Sequence, residues 1–428
     1  MNSKIIISII FYYFGLLCSY GQNSIPTRDY QVDLENEAVS QYMREVVYKP
    51  HDKSLIDNYR QDLQYRGDWP NPVVMDLPQS TTDSLFIYCC DDETFQDSLK
   101  YRVSTTQNTA ELYNLIPNRI YRYQIKDDND ILQQGKIYTS GQLRQIKVCS
   151  SVANVRDLGG WKTTNNMQIR YGKIIRGSEL NGIHIATDEG INTLRGLGTS
   201  AELDLRADYN KEHSISAFEF NRYSSEDGEI PAYYYSSDSG QLPSHMTDDT
   251  YLTKWRLEFK FIMKNLRKGR SIYEHCVYGK DRTGYLSFLL EGLLGVSYSD
   301  LAKEYELSFF VHKTESTKDS IDKVFDYIET MDGETLRDKF NTFFVEKIRI
   351  KQSDIDDFRN LMLEAIKPEY QGDVNDDGEI KNDDVVAIIN YIAGKTSEIS
   401  AKAFDVNKDN VVNIADIIKV VNIIQGNR

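Results

Sequence analysis

The chain has 428 residues, 40% of them apolar and 27% charged, with a formal net charge of −15 and a pI near 5.0. That length predicts roughly two to four domains, and the composition is that of a globular chain. The acidic balance argues against a general nucleic-acid binder, which needs a basic footprint, but it leaves room for anionic ligands wherever a local field opposes the global charge.

The opening stretch, MNSKIIISIIFYYFGLLCSYGQ, sets Lys4 ahead of an apolar run from Ile5 to Leu17 and a polar close. The pattern predicts a secretory signal peptide over residues 1–21, because the run falls short of the ~20 apolar residues of a membrane span. Leu17 is bulky where lipid attachment at Cys18 would want a small residue. No later segment reads as a transmembrane span, so the expectation is an exported protein: periplasmic, held at the cell surface or extracellular. Cleavage would leave Cys89, Cys90, Cys149 and Cys276. Neighbouring strand residues point to opposite faces, so Cys89 and Cys90 are not expected to pair, and no disulfide framework emerges.

Residues 22–70 form a polar lead-in without a sustained period. Over 71–147 the pattern becomes short alternating runs (VVMDL, SLFIYCC, KYRVST, RIYRYQIK, GKIYTS) separated by Asp, Asn, Pro and Gly, which predicts an antiparallel β-sandwich. LIPNRIYRYQI (Leu115–Ile125) resembles the strand-entry corner of fibronectin type III-like domains. From 148 to 367 strand-like runs such as AELDLR (Ala201–Arg206) and SIYEHC (Ser271–Cys276) alternate with helix-like ones such as Tyr251–Gly269, predicting an α/β layer structure. The unpatterned stretch 207–250 reads as a lid or rim.

HCVYGKDRTG, residues 275–284, carries the chemistry. A strand ending at Cys276 and a helix beginning near Thr283 would place the amides of Val277, Tyr278, Gly279, Lys280 and their neighbours at a helix N-terminus, where N–H groups and dipole both favour an anion. The same field favours thiolate, and cysteine pKa values fall to ~3.5–7.5 in such settings. Arg282 can fork two hydrogen bonds onto phosphate oxygens. The implied reaction is attack of Cys276 on phosphorus, protonation of the leaving oxygen by an acid, and hydrolysis of the thiophosphate by water. Thr283 is placed to hydrogen-bond the sulfur and His275 to fix the loop. No cofactor or metal is needed for this chemistry, and His213, His245 and His312 lack metal-ligand spacing.

The loop resembles that of the cysteine-dependent phosphatases. With NVRDLGG (Asn154–Gly160), IRYGKIIRGSEL (Ile169–Leu180), LDLR (Leu203–Arg206) and YELS (Tyr305–Ser308), the stretch 148–365 resembles the bacterial tyrosine/serine protein phosphatase family, which includes secreted, phosphoinositide-active enzymes. The resemblance implies Cys276 as nucleophile and Arg282 as phosphate clamp, within a phosphate-binding set of Val277, Tyr278, Gly279, Lys280, Arg282 and Thr283. The general acid is open among Asp281 in the loop, Asp204 at the end of a core strand, and Asp248 or Asp249 upstream. Arg156 and Asp157 read as a structural turn pair beside the loop. Phosphotyrosine, with phosphoserine or phosphothreonine beside it, is the first substrate class. An ammonium at Lys280 would suit a second phosphate, which makes phosphoinositides or inositol phosphates the alternative. A non-catalytic scaffold that binds phosphorylated ligands is the rival from another class.

Two stretches near the end repeat each other, DVNDDGEIKNDD and DVNKDNVVNIAD, their first aspartates 32 positions apart. Oxygen donors fall at EF-hand-type positions: Asp373, Asn375, Asp377, the Glu379 carbonyl and Asp384, then Asp405, Asn407, Asp409, the Val411 carbonyl and Asp416. Such a set selects calcium, one ion per loop. With an apolar helix after each loop, residues 368–428 resemble a dockerin, a calcium-folded module whose partners are cohesin domains. The fold class expected is therefore multidomain: a fibronectin type III-like β-sandwich, an α/β cysteine-phosphatase domain and a small all-α calcium-binding module.

Overall fold

The structure is a computed structural model that describes residues 25–45, 56, 58–59, 67–91, 95, 98–128, 130–206, 216–221, 246–311, 320–366, 374, 380–395, 404–407 and 411–425. The expected signal peptide, most of the 207–250 stretch with its Tyr233–Tyr235 run, and His213, His245 and His312 lie outside these residues. The chain divides into two compact units. One comprises Met1–Tyr30, Met75–Ala110 and Tyr121–Ile137; the other holds Gln31–Val74, Glu111–Ile120 and Tyr138–Arg428.

In chain order the early elements are β1 (Tyr30–Asp33), α1 (Glu37–Met43), β2 (Val73–Asp76), β3 (Ser84–Cys90), β4 (Leu99–Ser104), β5 (Thr109–Leu112), β6 (Ile120–Lys126) and β7 (Ile131–Ser140). One five-stranded sheet runs β1-β7-β6-β3-β4, and β2 pairs with β5. Period-2 alternation explains the strands: Leu85, Ile87 and Cys89 of β3 and Tyr121, Tyr123 and Ile125 of β6 are buried, while the residues between them are partly open. This region is β-rich, as the sequence predicts. The lead-in supplies β1 to this sheet and also forms α1 in the larger unit, where the Tyr42 hydroxyl donates to Glu306 and its ring meets Phe310 edge-on.

The larger unit continues with β8 (Arg156–Asp157), β9 (Met167–Ile169), β10 (Ile174–Gly177), α2 (Asp188–Gly196), β11 (Thr199–Asp204), β12 (Phe220–Asn221), α3 (Asp249–Arg267), β13 (Ser271–His275), α4 (Asp281–Leu294), α5 (Tyr298–Glu306), α6 (Ser320–Glu329), α7 (Leu336–Thr342), α8 (Gln352–Met362) and β14 (Leu363–Ala365). Its five-stranded sheet has the order β12-β11-β13-β10-β8, parallel except for β8 at the edge. Both faces are covered, so β10 and β13 are apolar or buried throughout rather than alternating. Ile174, Leu203 and Ile272 join the large core with Phe259, Phe288, Phe343 and Phe358, whereas Ile175 and Tyr273 face a smaller cluster with Leu194 and Phe218. Helix α4 is buried from Thr283 to Leu294, which accounts for its unbroken apolar run.

At the C-terminal end α9 (Asn382–Ile392) and α10 (Ile414–Ile424) share a core of Val374, Ile388, Phe404, Val406 and Val420. Tyr391 stacks on Phe404 at 4.3 Å. Among the described residues, no helix is long and apolar enough to cross a membrane, and Cys89, Cys90, Cys149 and Cys276 are free thiols.

Candidate active site

Three parallel strands deliver the site. Gly177 ends β10, His275 ends β13 and Asp204 ends β11, and the three are register partners. The loop leaving central β13 therefore opens at the carboxyl edge of the sheet, where α/β folds bind ligands. Cys276 leads this loop, Val277–Lys280 turn, and α4 begins at Asp281, two residues earlier than the sequence suggests.

The loop's orientation is set by its carbonyls. Cys276 O lies 3.0 Å from His275 Nδ1, and Val277 O accepts from the Glu179 amide at 3.1 Å. Asn154 Nδ2 donates to Tyr278 O at 3.2 Å and to Gly279 O at 3.0 Å, and Arg176 Nη2 donates to Gly279 O at 2.5 Å. Four successive carbonyls are thus held on one side, which turns the intervening amides to the other. No side chain caps α4 at Lys280, so its orphan N–H groups suit an anion. Gly279 is required twice over: its φ is +64°, and a Cβ there would lie 2.3 Å from Gly177 O.

Behind the loop sits a buried charge network. Arg156 Nε meets the Glu304 carboxylate at 2.8 and 3.0 Å, Arg156 Nη1 reaches Asn154 Oδ1 at 2.5 Å, and Arg176 Nη1 reaches Glu304 Oε1 at 2.9 Å. Asn154 Nδ2 also donates to Ser308 Oγ at 3.1 Å. Charges buried this deeply are costly unless satisfied; their effect here is to fix Asn154 and Arg176 against the loop. Arg156 is thus a support, and Asp157 is likewise structural, but the two form β8 and not a turn pair: Asp157 binds Arg144 at 3.2 Å and the amides of Gly159 and Gly172. Sequence spacing alone does not single out Asn154, Arg176, Glu304 and Ser308. All lie within or beside the motifs that carry the family resemblance, but nothing in their spacing announces that they converge.

Cys276 is 3% exposed. Burial works against its ionisation, yet the Arg282 guanidinium and the Thr283 hydroxyl and amide outweigh it and hold the thiol pKa below the ordinary value. The Thr283 hydroxyl has no other hydrogen-bond partner among the described residues. Arg282 Nη1 donates to Leu205 O at 3.2 Å, which anchors the side chain beside the loop. His275 Nε2 meets Glu202 Oε1 at 2.9 Å. Burial opposes a charge on this ring, but Asp204 and Glu202 raise its pKa above the usual histidine value, so the imidazolium can donate to both neighbours.

The three candidate acids have different surroundings. Asp281 is partly open, its side chain 39% exposed, with Lys280 Nζ at 3.7 Å; burial raises its pKa despite the pull of Lys280 and Arg282. Asp204 is buried and its two oxygens accept from Arg206 N, Nε and Nη2 at 2.8–3.1 Å. Asp248 caps α3, accepting from the Thr250 amide at 2.7 Å, and Asp249 opens that helix. At the rim the Tyr278 ring stands edge-on to His184 at 5.5 Å, with Ile183 and Ile185 exposed on either side of that histidine.

Residues 147–364, half of the chain, match the model of the tyrosine phosphatase family. The chain belongs to that family. A protein of Cupriavidus necator, assigned by name to the tyrosine-protein phosphatases, is 25% identical over 187 residues, which is 41% of this chain and 67% of that protein. A phosphatase enzyme is thereby established. Residues 371–425 match the dockerin type I domain.

Dockerin domains bind calcium. Of the sequence-predicted ligands, Asp384, Asp405, Asn407, Val411 and Asp416 are described; Asp373, Asn375, Asp377, Glu379 and Asp409 lie outside the described residues. Asp384 is fully buried, accepting from the Val374 and Lys381 amides at 2.7 Å each. Asp416 does the same with Asn407 and Asn413 at 3.0 and 2.8 Å. Each carboxylate is folded onto the amides of its own loop, and among the described residues no group of three or more His, Cys, Asp or Glu is placed to hold a metal ion.

Proposed function

We propose that the chain is an exported phosphomonoesterase acting on phosphotyrosine through a phosphocysteine intermediate. The observation carrying this reading is the outward tethering of four successive loop carbonyls, with an uncapped α4 and Arg282 beside a buried Cys276 whose thiol pKa is lowered. The Cys276 thiolate attacks phosphorus as the ester P–O bond breaks, and Asp281 gives its proton to the leaving oxygen. Water then attacks the thiophosphate, Asp281 takes a proton back, and phosphate departs as the S–P bond returns its electrons to sulfur. Asp281 is favoured as acid because its partly open carboxyl has a raised pKa, whereas the carboxylate of Asp204 is occupied by Arg206. Asp204 instead supports Arg206 and His275. Val277, Tyr278, Gly279, Lys280, Arg282 and Thr283 hold the phosphate.

Phosphotyrosine is favoured over phosphoserine, phosphothreonine and phosphoinositides by the Tyr278–His184 wall and the exposed isoleucines beside it, which suit an aryl group. Phosphate release from phosphotyrosine peptides, phosphoserine peptides, inositol phosphates and phosphoinositide vesicles, by wild type and Cys276→Ser, tests the reading. Equal turnover by both proteins would remove the thiol mechanism. Binding without turnover would support a phospho-ligand scaffold, and preference for inositol phosphates would overturn the substrate class.

The architecture we infer is a signal peptide over 1–21, a lead-in over 22–70, a fibronectin type III-like sandwich over 71–147, the phosphatase domain over 148–367 and the dockerin-like module over 368–428. The strand order β7-β6-β3-β4, with β2 and β5 pairing in a second sheet, supports the sandwich. Two calcium ions, one per loop, would fold the module and ready it for a cohesin-type partner.

A further inference from the structure

Four strands of the first sheet carry a charge pattern at odds with the whole chain. Strands β3, β4, β6 and β7 contain Lys100, Arg102, Arg122, Lys126 and Lys136 and not one aspartate or glutamate, although the chain as a whole has 65 acidic and 50 basic residues. Register places the cations across one face. Phe86 of central β3 lies between Arg102 of β4 and Lys126 of β6, and Tyr88 lies between Lys100 and Gln124. The opposite face, through Leu85, Ile87, Tyr123 and Ile125, is buried.

The aromatic rings serve the cations. Lys100 Nζ stands 4.3 Å from the Phe86 centroid and 5.3 Å from that of Tyr88, and Lys126 Nζ stands 5.1 Å from that of Tyr88. Each ammonium is steadied above a ring face. Lys100, Arg102 and Lys126 form no ion pair among the described residues. The described acidic residues flanking these strands, Asp83, Asp91, Asp127, Asp128 and Asp130, lie in the turns at the strand ends, while Asp92, Glu93 and Asp97 lie outside the described residues. The described ones bracket a footprint of about 20 Å, the length of a six-residue strand.

We propose that this face binds a linear acidic polysaccharide, its carboxylates or sulfates meeting Lys100, Arg102 and Lys126 and its hydroxyls meeting Ser84, the Tyr88 hydroxyl and Gln124. Charge complementarity selects a polyanion. The interleaved neutral hydrogen-bonding groups suit a polymer that alternates charge with hydroxyl. Single-stranded nucleic acid would need open aromatic faces for base stacking, but here the lysines occupy them. A lipid surface would need a large exposed apolar side chain to insert, and these strands present none.

The test uses the full-length protein in affinity electrophoresis and calorimetry at low salt. Polygalacturonate and dextran sulfate separate carboxylate from sulfate as the source of charge, and neutral dextran is the control. Wild type should bind at least one of the two polyanions and not dextran. Lys100→Gln with Lys126→Gln should bind about tenfold more weakly, and Lys100→Glu with Lys126→Glu should lose binding. Unchanged thermal unfolding and unchanged hydrolysis of p-nitrophenyl phosphate would show both variants folded. The proposal is overturned by no polyanion binding in wild type, by variants that bind as wild type does, or by tighter binding of oligothymidylate or anionic vesicles.

Discussion

The cysteine loop and the C-terminal loops are both turns that feed a helix, and they solve opposite electrostatic problems. At Cys276–Lys280 backbone carbonyls are pulled aside so that amides, a guanidinium and the first turn of α4 can hold an anion. Before α9 and α10 carboxylates are folded inward, Asp384 onto the amides of Val374 and Lys381 and Asp416 onto those of Asn407 and Asn413, in the region that matches a calcium-binding domain type. The anion loop is shaped by residues far away in the chain, among them Asn154, Arg176, Glu179 and, through them, Glu304. The hydrogen bonds of Asp384 and Asp416 in the C-terminal loops each span ten residues or fewer. Remote support should make the first loop sensitive to distant substitution, and local support should make the second sensitive to its ion.

The largest effect should come from the sulfur itself. Cys276→Ser should lower kcat by about 10⁴-fold or more while the circular dichroism response of the dockerin domain to calcium stays that of wild type. Next is Asp281→Asn. In the proposed mechanism turnover requires a Cys276 thiolate, whose lowered pKa would start the rising limb of the pH profile early, and a protonated Asp281, whose raised pKa would set the falling limb. The substitution should cost about 10²–10⁴-fold and abolish the falling limb; a variant profile that still falls at the same pH would assign the acid elsewhere.

Asn154→Ala sharpens the contrast, because this side chain never needs to touch substrate. Loss of its bonds to Tyr278 O and Gly279 O should slow kcat/KM about 10²-fold, with no change in calcium affinity. Chelation runs the other way: it should melt the α9–α10 module, seen as lost helicity, and leave hydrolysis of p-nitrophenyl phosphate unchanged. The smallest effect concerns Glu274, which burial pushes up to about 7 despite its hydrogen bond from Ser287 at 2.7 Å. A carboxyl that keeps its proton in the fold stabilises fully below its unfolded pKa, and that stabilisation is lost as pH rises through the folded value. Unfolding free energy should therefore fall between about pH 4.5 and 7, by on the order of 3 kcal/mol at most, and denaturant titration of Glu274→Gln should show a flatter profile.

Much of the arrangement of this candidate site is legible from spacing. Cys276, Arg282 and the glycines between strand and helix are contiguous in the chain, so local geometry alone implies an anion cradle. The choice of acid was not legible. Asp281, Asp204 and Asp248 all stand in plausible places in the chain, and only their neighbours separate them: a rim position, a guanidinium and a helix N-cap. The polar lead-in also escaped, because α1 is a short helix that forms through its packing and through the Asn36 cap rather than through a repeated period.

By itself the amino-acid order determined what neighbouring residues can do together: the alternation of β3 and β6, the apolar run of α4, the thiol and guanidinium six positions apart, and the doubled aspartate loops. Only the tertiary structure decided which side of the cysteine loop its amides face, that Arg176 and Asn154 hold it there, and that cations from two strands stand over two rings of the strand between them. The physical reason is that period and spacing act through bonds along the chain, whereas the direction of a carbonyl or the pairing of a buried charge depends on groups a hundred or more residues away.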